Sequence, residues 1–357
     1  MIIKEIFTPS FDVSWLPWAV QYFFMIGLAY SAGFIATMTI FSNLDEKYRQ
    51  RILLLSGLLM ISAGLVGPIS LLGDLHQPAR AWHFYMQTRT SSWMWYGAYL
   101  LPLFNIAIIL FGWMTLRPTL KNNANNSDLV GKTCQLLLVG NWSSNKYLKK
   151  IAIISTIFGL AIATYTGMEV MSAKARALWD TPMLPFMMLT TAMVAAYGVL
   201  LILNRVLKGN EVEVNRILLS GIRMSLTLFI LTILIWTLMD SRSIEQAKSL
   251  FSFSQTWQLS AFWVVSTVIV LNILLLFRTG SQGVISIITA LIAIHLNWGL
   301  RWLILMQAQT VPKYGAGTYI YNISWGPEGI LGIVGTFGLW FAIILIFSEF
   351  VRKNSNI

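Results

Sequence analysis

Long apolar runs separated by short polar segments recur along the whole chain. A run of about 20 residues is long enough to cross a bilayer core of about 30 Å as an α-helix. The pattern predicts nine such helices, at about residues 15–41, 52–75, 93–116, 151–173, 182–206, 217–239, 257–277, 282–309 and 327–350. We therefore expect an all-α, polytopic membrane protein in which residues 1–350 form a single integral membrane domain.

One polar stretch is much longer than the others. Residues 117–150 contain the run Lys-Asn-Asn-Ala-Asn-Asn-Ser, and such clusters of small polar residues are typical of surface loops. We expect this stretch to connect helices three and four as a loop. The starts of helices one and five, at Pro17 and at Pro182 and Pro185, resemble each other faintly, which is too weak to establish an internal duplication.

The composition supports the membrane interpretation. Hydrophobic residues make up 56% of the chain, charged residues only 11%, and the mean hydropathy is +0.67. Soluble domains carry about 25% charged residues, so water is not the main solvent of this surface. The formal charge of +11 does not indicate nucleic-acid binding, because the basic residues lie in short loops, where they set orientation and contact anionic membrane lipid.

The basic residues are distributed unequally between the two sides of the membrane. Of the 25 Lys and Arg residues, eight fall on the side that holds the N-terminus, fifteen on the other side, and two inside helices. Short cytoplasmic loops are enriched in Lys and Arg. We therefore expect the N-terminus to lie outside and the loop at residues 117–150 to be cytoplasmic.

Polar side chains within the predicted helices collect near the outer ends of the even-numbered helices. Helix two ends near Asp74 and His76, and helix four carries Tyr165 and Glu169. Tyr165 and Glu169 are four residues apart, so they share one face of the helix. We expect both side chains to point into one cavity on the outer side.

Two further ionisable residues lie on the later even-numbered helices. Asp240 ends helix six and Arg301 lies on helix eight. Because an unpaired charge in the membrane is costly, such groups usually pair or line a functional path. One alternative is an ion pair of Arg301 with Glu169 or Asp240 that only holds helices together.

Ligands for metal cofactors are scarce in this chain. The single cysteine, Cys134, cannot hold an iron-sulfur cluster, and a membrane b-type haem needs two histidines that face each other. The three histidines disfavour such a haem, although a pair of His76 with His295 stays open. A redox role would need an organic carrier, and Tyr, Asp, His and Glu suit a quinol, whose oxygens they can hydrogen-bond and whose protons they can take.

Two segments resemble sequence signatures of the NrfD/PsrC family, the membrane subunits of polysulfide-reductase-like molybdoenzymes. The first is Gly-Asp-Leu-His-Gln-Pro-Ala-Arg at residues 73–80, which resembles that family's Asp-Leu-Gly-Arg-Pro motif. The second is Tyr165-Thr-Gly, followed by Leu-Trp at residues 178–179 and by Pro182 and Pro185. The opening Ser-Trp-Leu-Pro-Trp-Ala-Val-Gln-Tyr-Phe-Phe at residues 14–24 is also similar to members of the family.

This resemblance implies an architecture and a function. Helices one to four (about 15–173) and five to eight (about 182–309) would form two four-helix bundles, with one extra C-terminal helix (about 327–350). The chain would anchor a respiratory complex in the bacterial inner (cytoplasmic) membrane and oxidise menaquinol near the periplasmic face, with no haem, iron-sulfur cluster or metal of its own. A ferredoxin-like four-cluster iron-sulfur subunit and a molybdopterin catalytic subunit would use the electrons to reduce tetrathionate or a related sulfur compound.

The resemblance and the side-chain chemistry together suggest catalytic residues. Tyr165 matches the family's helix-four tyrosine near the quinone, and Asp74 matches the motif aspartate. His76 and Glu169 are further candidates for moving protons outward. Asp74 could instead only bond Arg80 and fix its loop, and His76 could be an exposed residue without a role.

Residues that would bind the quinone come mainly from helix one. Gln21 and Tyr22 occupy positions where relatives place polar residues, and Trp18 lies beside them. Gln21 can hydrogen-bond a quinone oxygen but cannot accept a proton. Tyr165 would help to position the head group and Arg301 would tune the carboxylates, while Trp18 could instead belong to the interfacial aromatic belt.

Two other functions stay open at this point. A secondary transporter would use Glu169 and Arg301 as a central intramembrane ion pair. A passive anchor would only dock an outer enzyme and would have no quinone chemistry.

Overall fold

The computed structural model describes residues 13–86, 89–140, 143–207, 210–276, 283–311 and 319–352. Within these ranges nine helices are long and apolar enough to cross a membrane, and no strand occurs among them. Numbered α1 to α9 in chain order, the nine are Pro17–Phe41, Glu46–Asp74, Trp93–Asn123, Asn145–Met171, Leu184–Val206, Val212–Met239, Gln255–Leu276, Gly283–Leu305 and Ile330–Arg352. The predicted all-α protein with nine spanning helices is confirmed.

The predicted loop at residues 117–150 is wrong in extent. α3 continues to Asn123, α4 already begins at Asn145, and a helix at Leu129–Leu137 lies between them. Asp128 caps this short helix by accepting a hydrogen bond from a backbone N–H at 2.8 Å. Hydropathy marks where a helix leaves the apolar layer, whereas the helix itself continues until turn or capping residues stop it. The cytoplasmic location of this segment stays a prediction.

On the opposite side, two connections contain short helices that the hydropathy pattern does not show. His83–Met86 follows α2, and the longer Ser241–Phe253 follows α6. Asp240 caps the start of this longer helix, because its carboxylate accepts a hydrogen bond from Ser243 N at 3.1 Å. The helix lies against the adjoining ends of α6 and α7. Both connections therefore present folded segments at the membrane surface.

The helices pack in two groups of four. α1 contacts α2 and α4, and α3 contacts α2 and α4, which closes a ring. α5 contacts α6 and α8, and α7 contacts α8 and, less extensively, α6. α1 and α5 form the main contact between the groups. The division into two four-helix bundles stays a prediction.

α9 lies along the first group, against α1, α2 and α3. Near its start, Trp18 Nε1 donates a hydrogen bond to Pro327 O at 2.9 Å. Near its end, Asn123 Nδ2 donates a hydrogen bond to Phe350 O. Side chains of the first group thus hold α9 at both membrane surfaces.

Short connections place the starts of the odd-numbered helices and the ends of the even-numbered helices on one side, which we call the predicted outer side. Which side faces outward is a prediction from charge. Some of the positions that enter these predictions lie outside the described residues. Two are predicted helix ends, the end of helix seven at 277 and the start of helix eight at 282. The others are basic residues that were counted for the orientation: Lys4, Lys208, Arg278, Lys313 and Lys353.

Candidate functional site

A cavity of about 450 Å³ lies between α1, α2, α3 and α4 near their predicted outer ends. Its wall is mostly apolar, and the segment after α2 covers it with Phe84. Polar groups reach it from Tyr22, Asn105, Tyr165 and Glu169. A pocket with apolar walls and a few convergent polar groups is the usual form of a small-molecule site.

Tyr165 and Glu169 form a pair on the face of α4 that lines this cavity. Both side chains line the cavity, and they lie close enough to interact electrostatically. Tyr165 is only 6% exposed, whereas Glu169 is half-buried because the cavity lies beside it. Tyr22 from α1 lies close enough to Glu169 for the two groups to interact electrostatically. The structure therefore brings Tyr22, Tyr165 and Glu169 together.

Two glycines set the position of Tyr165. A β-carbon on Gly97 of α3 would lie 2.0 Å from the Tyr165 hydroxyl oxygen, so only glycine leaves room for the phenol. A β-carbon on Gly167 would lie 2.4 Å from Pro185 Cγ at the start of α5. The segment Tyr-Thr-Gly therefore combines a cavity-facing phenol with a glycine that lets α4 approach α5 closely.

Asp74 lies beside the cavity at the end of α2 and holds the start of α1. Its Oδ1 accepts a hydrogen bond from Leu16 N at 2.8 Å, which places the carboxylate at the positively polarised end of α1. Among the described residues no ion pair joins Asp74 to Arg80. His76 is exposed and near enough to interact electrostatically with Asp74. Both residues therefore lie at the predicted outer end of α2.

Gln21 and Trp18 face away from this cavity. Gln21 is fully buried, where its Nε2 donates to Ile333 O of α9 at 3.1 Å and its Oε1 accepts from Trp298 Nε1 of α8 at 3.2 Å. Trp18 bonds the backbone before α9 at Pro327. Both residues therefore join α1 to later helices, and Tyr22 is the helix-one candidate that lines the cavity.

Arg301 is buried between the two groups of helices, with 1% of its surface exposed. Its guanidinium donates to Asn297 Oδ1, to Met188 O at 3.1 Å and to Thr191 Oγ1 at 3.4 Å. It also lies against α1, because a β-carbon on Gly27 would be 2.8 Å from Arg301 Nη2. Neutral oxygens of α5 and α8 thus accept the hydrogen bonds of this cation.

The ion pair that the sequence suggested for Arg301 is not formed. Among the described residues, no carboxylate oxygen lies within 4.0 Å of its guanidinium. Glu169 lies at the cavity with Tyr165 instead, and Asp240 caps the helix at Ser241–Phe253. For Asp240, burial raises the pKa, but the nearby Thr181 hydroxyl and the hydrogen bond from Ser243 N outweigh it and hold the pKa below its usual value.

His76 and His295, the two histidines considered for a haem, lie in different helix groups. His76 follows α2, whereas His295 on α8 stacks against Trp263 of α7 with 5.1 Å between ring centroids. Within the described residues no group of three or more His, Cys, Asp or Glu side chains gathers. The absence of haem stays a prediction.

Comparison with known proteins decides the family. Residues 7–313 match the family model described as "Polysulphide reductase, NrfD". The chain belongs to the NrfD family. It is accordingly a multi-pass protein of the bacterial inner membrane. The match to the family model ends at residue 313. α9, which begins at Ile330, therefore lies outside the matched region.

Two curated relatives cover nearly the whole NrfD chain. A tetrathionate reductase subunit of Salmonella typhimurium is 33% identical over 356 residues, which is 98% of this chain and 95% of the relative. A selenate reductase subunit of Mesobacillus selenatarsenatis is 22% identical over 369 residues, which is 95% of this chain and 85% of the relative. Both relatives are subunits of reductases, which supports a membrane subunit of an oxidoreductase complex.

Two residues at the cavity were not predicted from the sequence. Asn105, which lines the cavity from α3, and Gly97, which makes room for Tyr165, were not candidates. Gly97 lies within the aromatic-rich run at residues 93–99, where the only signal was two adjacent small residues, Gly97 and Ala98, among large ones. Which face of α3 meets α4 depends on packing between helices, which a single sequence does not show.

Proposed function

We propose that this NrfD protein is the membrane anchor and quinol-oxidising subunit of a respiratory molybdoenzyme complex. It takes electrons from menaquinol and passes them to an iron-sulfur subunit on the periplasmic side. The observation that carries this proposal is the cavity between α1 and α4, which is lined by the side chains of Tyr165, Glu169 and Tyr22.

The cavity fits a quinol in shape and chemistry. Its volume of about 450 Å³ lies in the range of pockets that hold small organic molecules. Apolar walls suit a fused aromatic ring, and lining residues such as Leu72 and Ile106 are 47% and 59% exposed. These two side chains lie where the protein meets lipid, so a quinol enters sideways from the bilayer.

The polar residues have separate roles in the reaction. Oxidation of one quinol removes two electrons and two protons. The Glu169 carboxylate accepts the two quinol protons one after the other and gives up the first before it takes the second, while the Tyr165 and Tyr22 hydroxyls hydrogen-bond the quinol oxygens and orient the ring. Asp74 and His76, near the end of the cavity, pass protons to the periplasm.

Residues on the other face of α1 hold the site in place. Gln21 and Trp18 tie α1 to α8 and α9, and Arg301 packs α8 against α1 and α5. These three residues keep the helix that carries Tyr22 in register with α4. They act through packing and do not touch the quinol.

The acceptor of the electrons belongs to partner subunits. The two curated relatives are parts of tetrathionate and selenate reductases. We assign to this chain a ferredoxin-like four-cluster iron-sulfur subunit and a molybdopterin catalytic subunit as partners, with tetrathionate or a related sulfur compound as terminal acceptor. The higher identity to the tetrathionate reductase subunit favours tetrathionate.

Binding of a quinone analogue to the purified chain tests the proposal. The chain in phospholipid nanodiscs should bind 2-heptyl-4-hydroxyquinoline N-oxide, and Tyr165→Phe and Glu169→Gln should weaken binding. Tyr197→Phe is the matched control, because Tyr197 is an equally buried tyrosine in α5, outside this cavity. Equal binding by all variants would place the quinol elsewhere.

Electron transfer separates the proposal from its alternatives. Added menaquinol should reduce the clusters of the assembled complex, and Glu169→Gln should slow that reduction. A passive anchor would leave the clusters oxidised. A transporter would move a solute into vesicles without any electron transfer, and the ion pair expected of it is not formed among the described residues.

A further inference from the structure

A second cavity, larger than the first, lies within the helices α5 to α8. Its volume is about 770 Å³. Its wall is built from apolar side chains, among them Phe229, Ile233, Trp257 and Leu300. The helix Ser241–Phe253 covers it on the predicted outer side. None of the residues assigned to quinol oxidation above contributes to this second cavity.

The two cavities occupy corresponding places in the two helix groups. The first is lined by α1 to α4 and by the segment that follows α2, the second helix of its group. The second is lined by α5 to α8 and by the segment that follows α6, again the second helix of its group. Both lie toward the predicted outer side. The second helix group thus contains a cavity at the position that corresponds to the first cavity.

The chemistry of the two cavities differs at one helix above all. The fourth helix of the first group supplies Tyr165 and Glu169. The fourth helix of the second group, α8, supplies the apolar residues Leu300, Leu303 and Ile304. The second cavity therefore lacks, on α8, the phenol and carboxylate that would hold and deprotonate a quinol head.

Charge enters the second cavity at its mouth. Lys248, on the covering helix, lines the cavity and is itself exposed. Among the described residues no carboxylate lies within 4.0 Å of its ammonium group. The cavity thus combines an apolar interior with the ammonium group of Lys248 where the headgroup layer would lie.

Phe251 and Phe253 place the covering helix at the membrane surface. Phe251 lines the cavity and is 53% exposed, and Phe253 is 80% exposed. Amphipathic helices with exposed aromatic residues and a lysine lie in the interface between headgroups and acyl chains. A molecule in this cavity would therefore have its polar end at the level of phospholipid headgroups.

We propose that this cavity binds an anionic phospholipid, with an acyl chain between α6, α7 and α8 and the phosphate against Lys248. An ammonium group near the surface attracts anionic headgroups, and an acyl chain needs no hydrogen-bonding partner in the interior. The lipid fills the space beneath the covering helix and so stabilises the second helix group. The assignment does not depend on where quinol is oxidised.

Photo-crosslinking tests the proposal on the purified full chain. The protein in nanodiscs is exposed to phosphatidylglycerol that carries a diazirine in its acyl chain, and the crosslinked peptides are identified by mass spectrometry. Crosslinks should concentrate on the cavity-facing parts of α6 and α7. Ala261→Trp, which fills the cavity from α7, should reduce them several-fold, and Ile273→Trp, at a 48% exposed position of the same helix, should not.

Lys248→Glu is a second variant that leaves the apolar interior unchanged. Repulsion of the phosphate should lower the crosslinking yield at the cavity about fivefold or more. Binding of the quinone analogue should stay the same in both Ala261→Trp and Lys248→Glu. Crosslinks spread evenly over the lipid-facing helices, or a yield unchanged in both variants, would overturn the proposal. So would preferential crosslinking of a diazirine-labelled menaquinone at this cavity.

Discussion

The backbone of Gly97 on α3 lies directly against the hydroxyl group of Tyr165 on α4. A β-carbon at position 97 would come within 2.0 Å of the phenolic oxygen. The close approach fixes the depth to which the phenol enters the cavity, and with it the position of the hydroxyl relative to Glu169. A residue without any side chain therefore positions the most important donor of the proposed site.

Gly97→Ala should move the Tyr165 hydroxyl out of its place. Overpacking of a fitted contact costs about 1–3 kcal/mol, so we expect binding of the quinone analogue to weaken about tenfold or more. Titration of 2-heptyl-4-hydroxyquinoline N-oxide into nanodisc samples measures the effect. Gly335→Ala on α9 is the matched control, because a β-carbon there meets nothing within 4 Å. Equal affinity in both variants would mean that the phenol position does not matter.

Asp74 accepts a hydrogen bond from Leu16 N and has a proposed role in proton release. The substitutions Asp74→Asn and Asp74→Ala separate this structural role from the proposed catalytic role. Asp74→Asn keeps an oxygen that can accept the hydrogen bond from Leu16 N, so the thermal stability should change little. Asp74→Ala removes this acceptor and should cost about 1 kcal/mol of stability, as loss of a helix cap does. Both should slow cluster reduction by menaquinol, because both remove the carboxylate.

Stability is measured by thermal unfolding and the rate by cluster reduction in the assembled complex. Full quinol oxidation in Asp74→Asn would leave Asp74 with a structural role only. In that case Glu169 would have to release its protons by another route.

The nine spans were predictable because the bilayer imposes a simple rule on sequence. Each crossing needs about 20 apolar residues, and this chain satisfies the rule nine times within the described residues. The helix ends were less predictable. α3 continues through Lys121 to Asn123 because a polar residue outside the membrane does not stop a helix. The helix at Ser241–Phe253 was missed because its mixed composition resembles that of a loop.

The candidate site was only partly predictable. The spacing of Tyr165 and Glu169 shows that they share a face of one helix, and the structure places both at the cavity. The spacing of Gln21 and Tyr22 could not show which of them faces α4, because neighbouring helical residues point in different directions and both are buried. That choice depends on the partners of α1, and Gln21 points toward α8 and α9.

Reporter fusions test the orientation that was derived from charge. An alkaline phosphatase fused after Asn125 should be inactive and one fused after Thr310 should be active, because the first position should lie in the cytoplasm and the second outside. Green fluorescent protein at the same positions should give the opposite pattern. The reverse result at both positions would put the proposed quinol cavity near the cytoplasmic surface.

The separation of Arg301 from Glu169 predicts how their substitutions combine. Residues that share no partners have additive effects on stability, within about 0.5 kcal/mol. The losses of unfolding free energy in Arg301→Met and Glu169→Gln should therefore add up in the double variant. Arg301→Met with Asn297→Ala is the matched control cycle, because Asn297 accepts a hydrogen bond from Arg301, and a coupling of about 0.5–3 kcal/mol is expected there.

The two single variants should also differ in function. Arg301→Met removes hydrogen bonds that α8 makes to α5, so it should lower stability while the surviving protein still binds the quinone analogue. Glu169→Gln should leave the fold intact and slow electron transfer, because the amide cannot take a proton. Coupling between Arg301 and Glu169 as strong as in the control cycle would indicate that the two residues form an intramembrane ion pair. A transporter would then explain these two residues better than a quinol-oxidising subunit does.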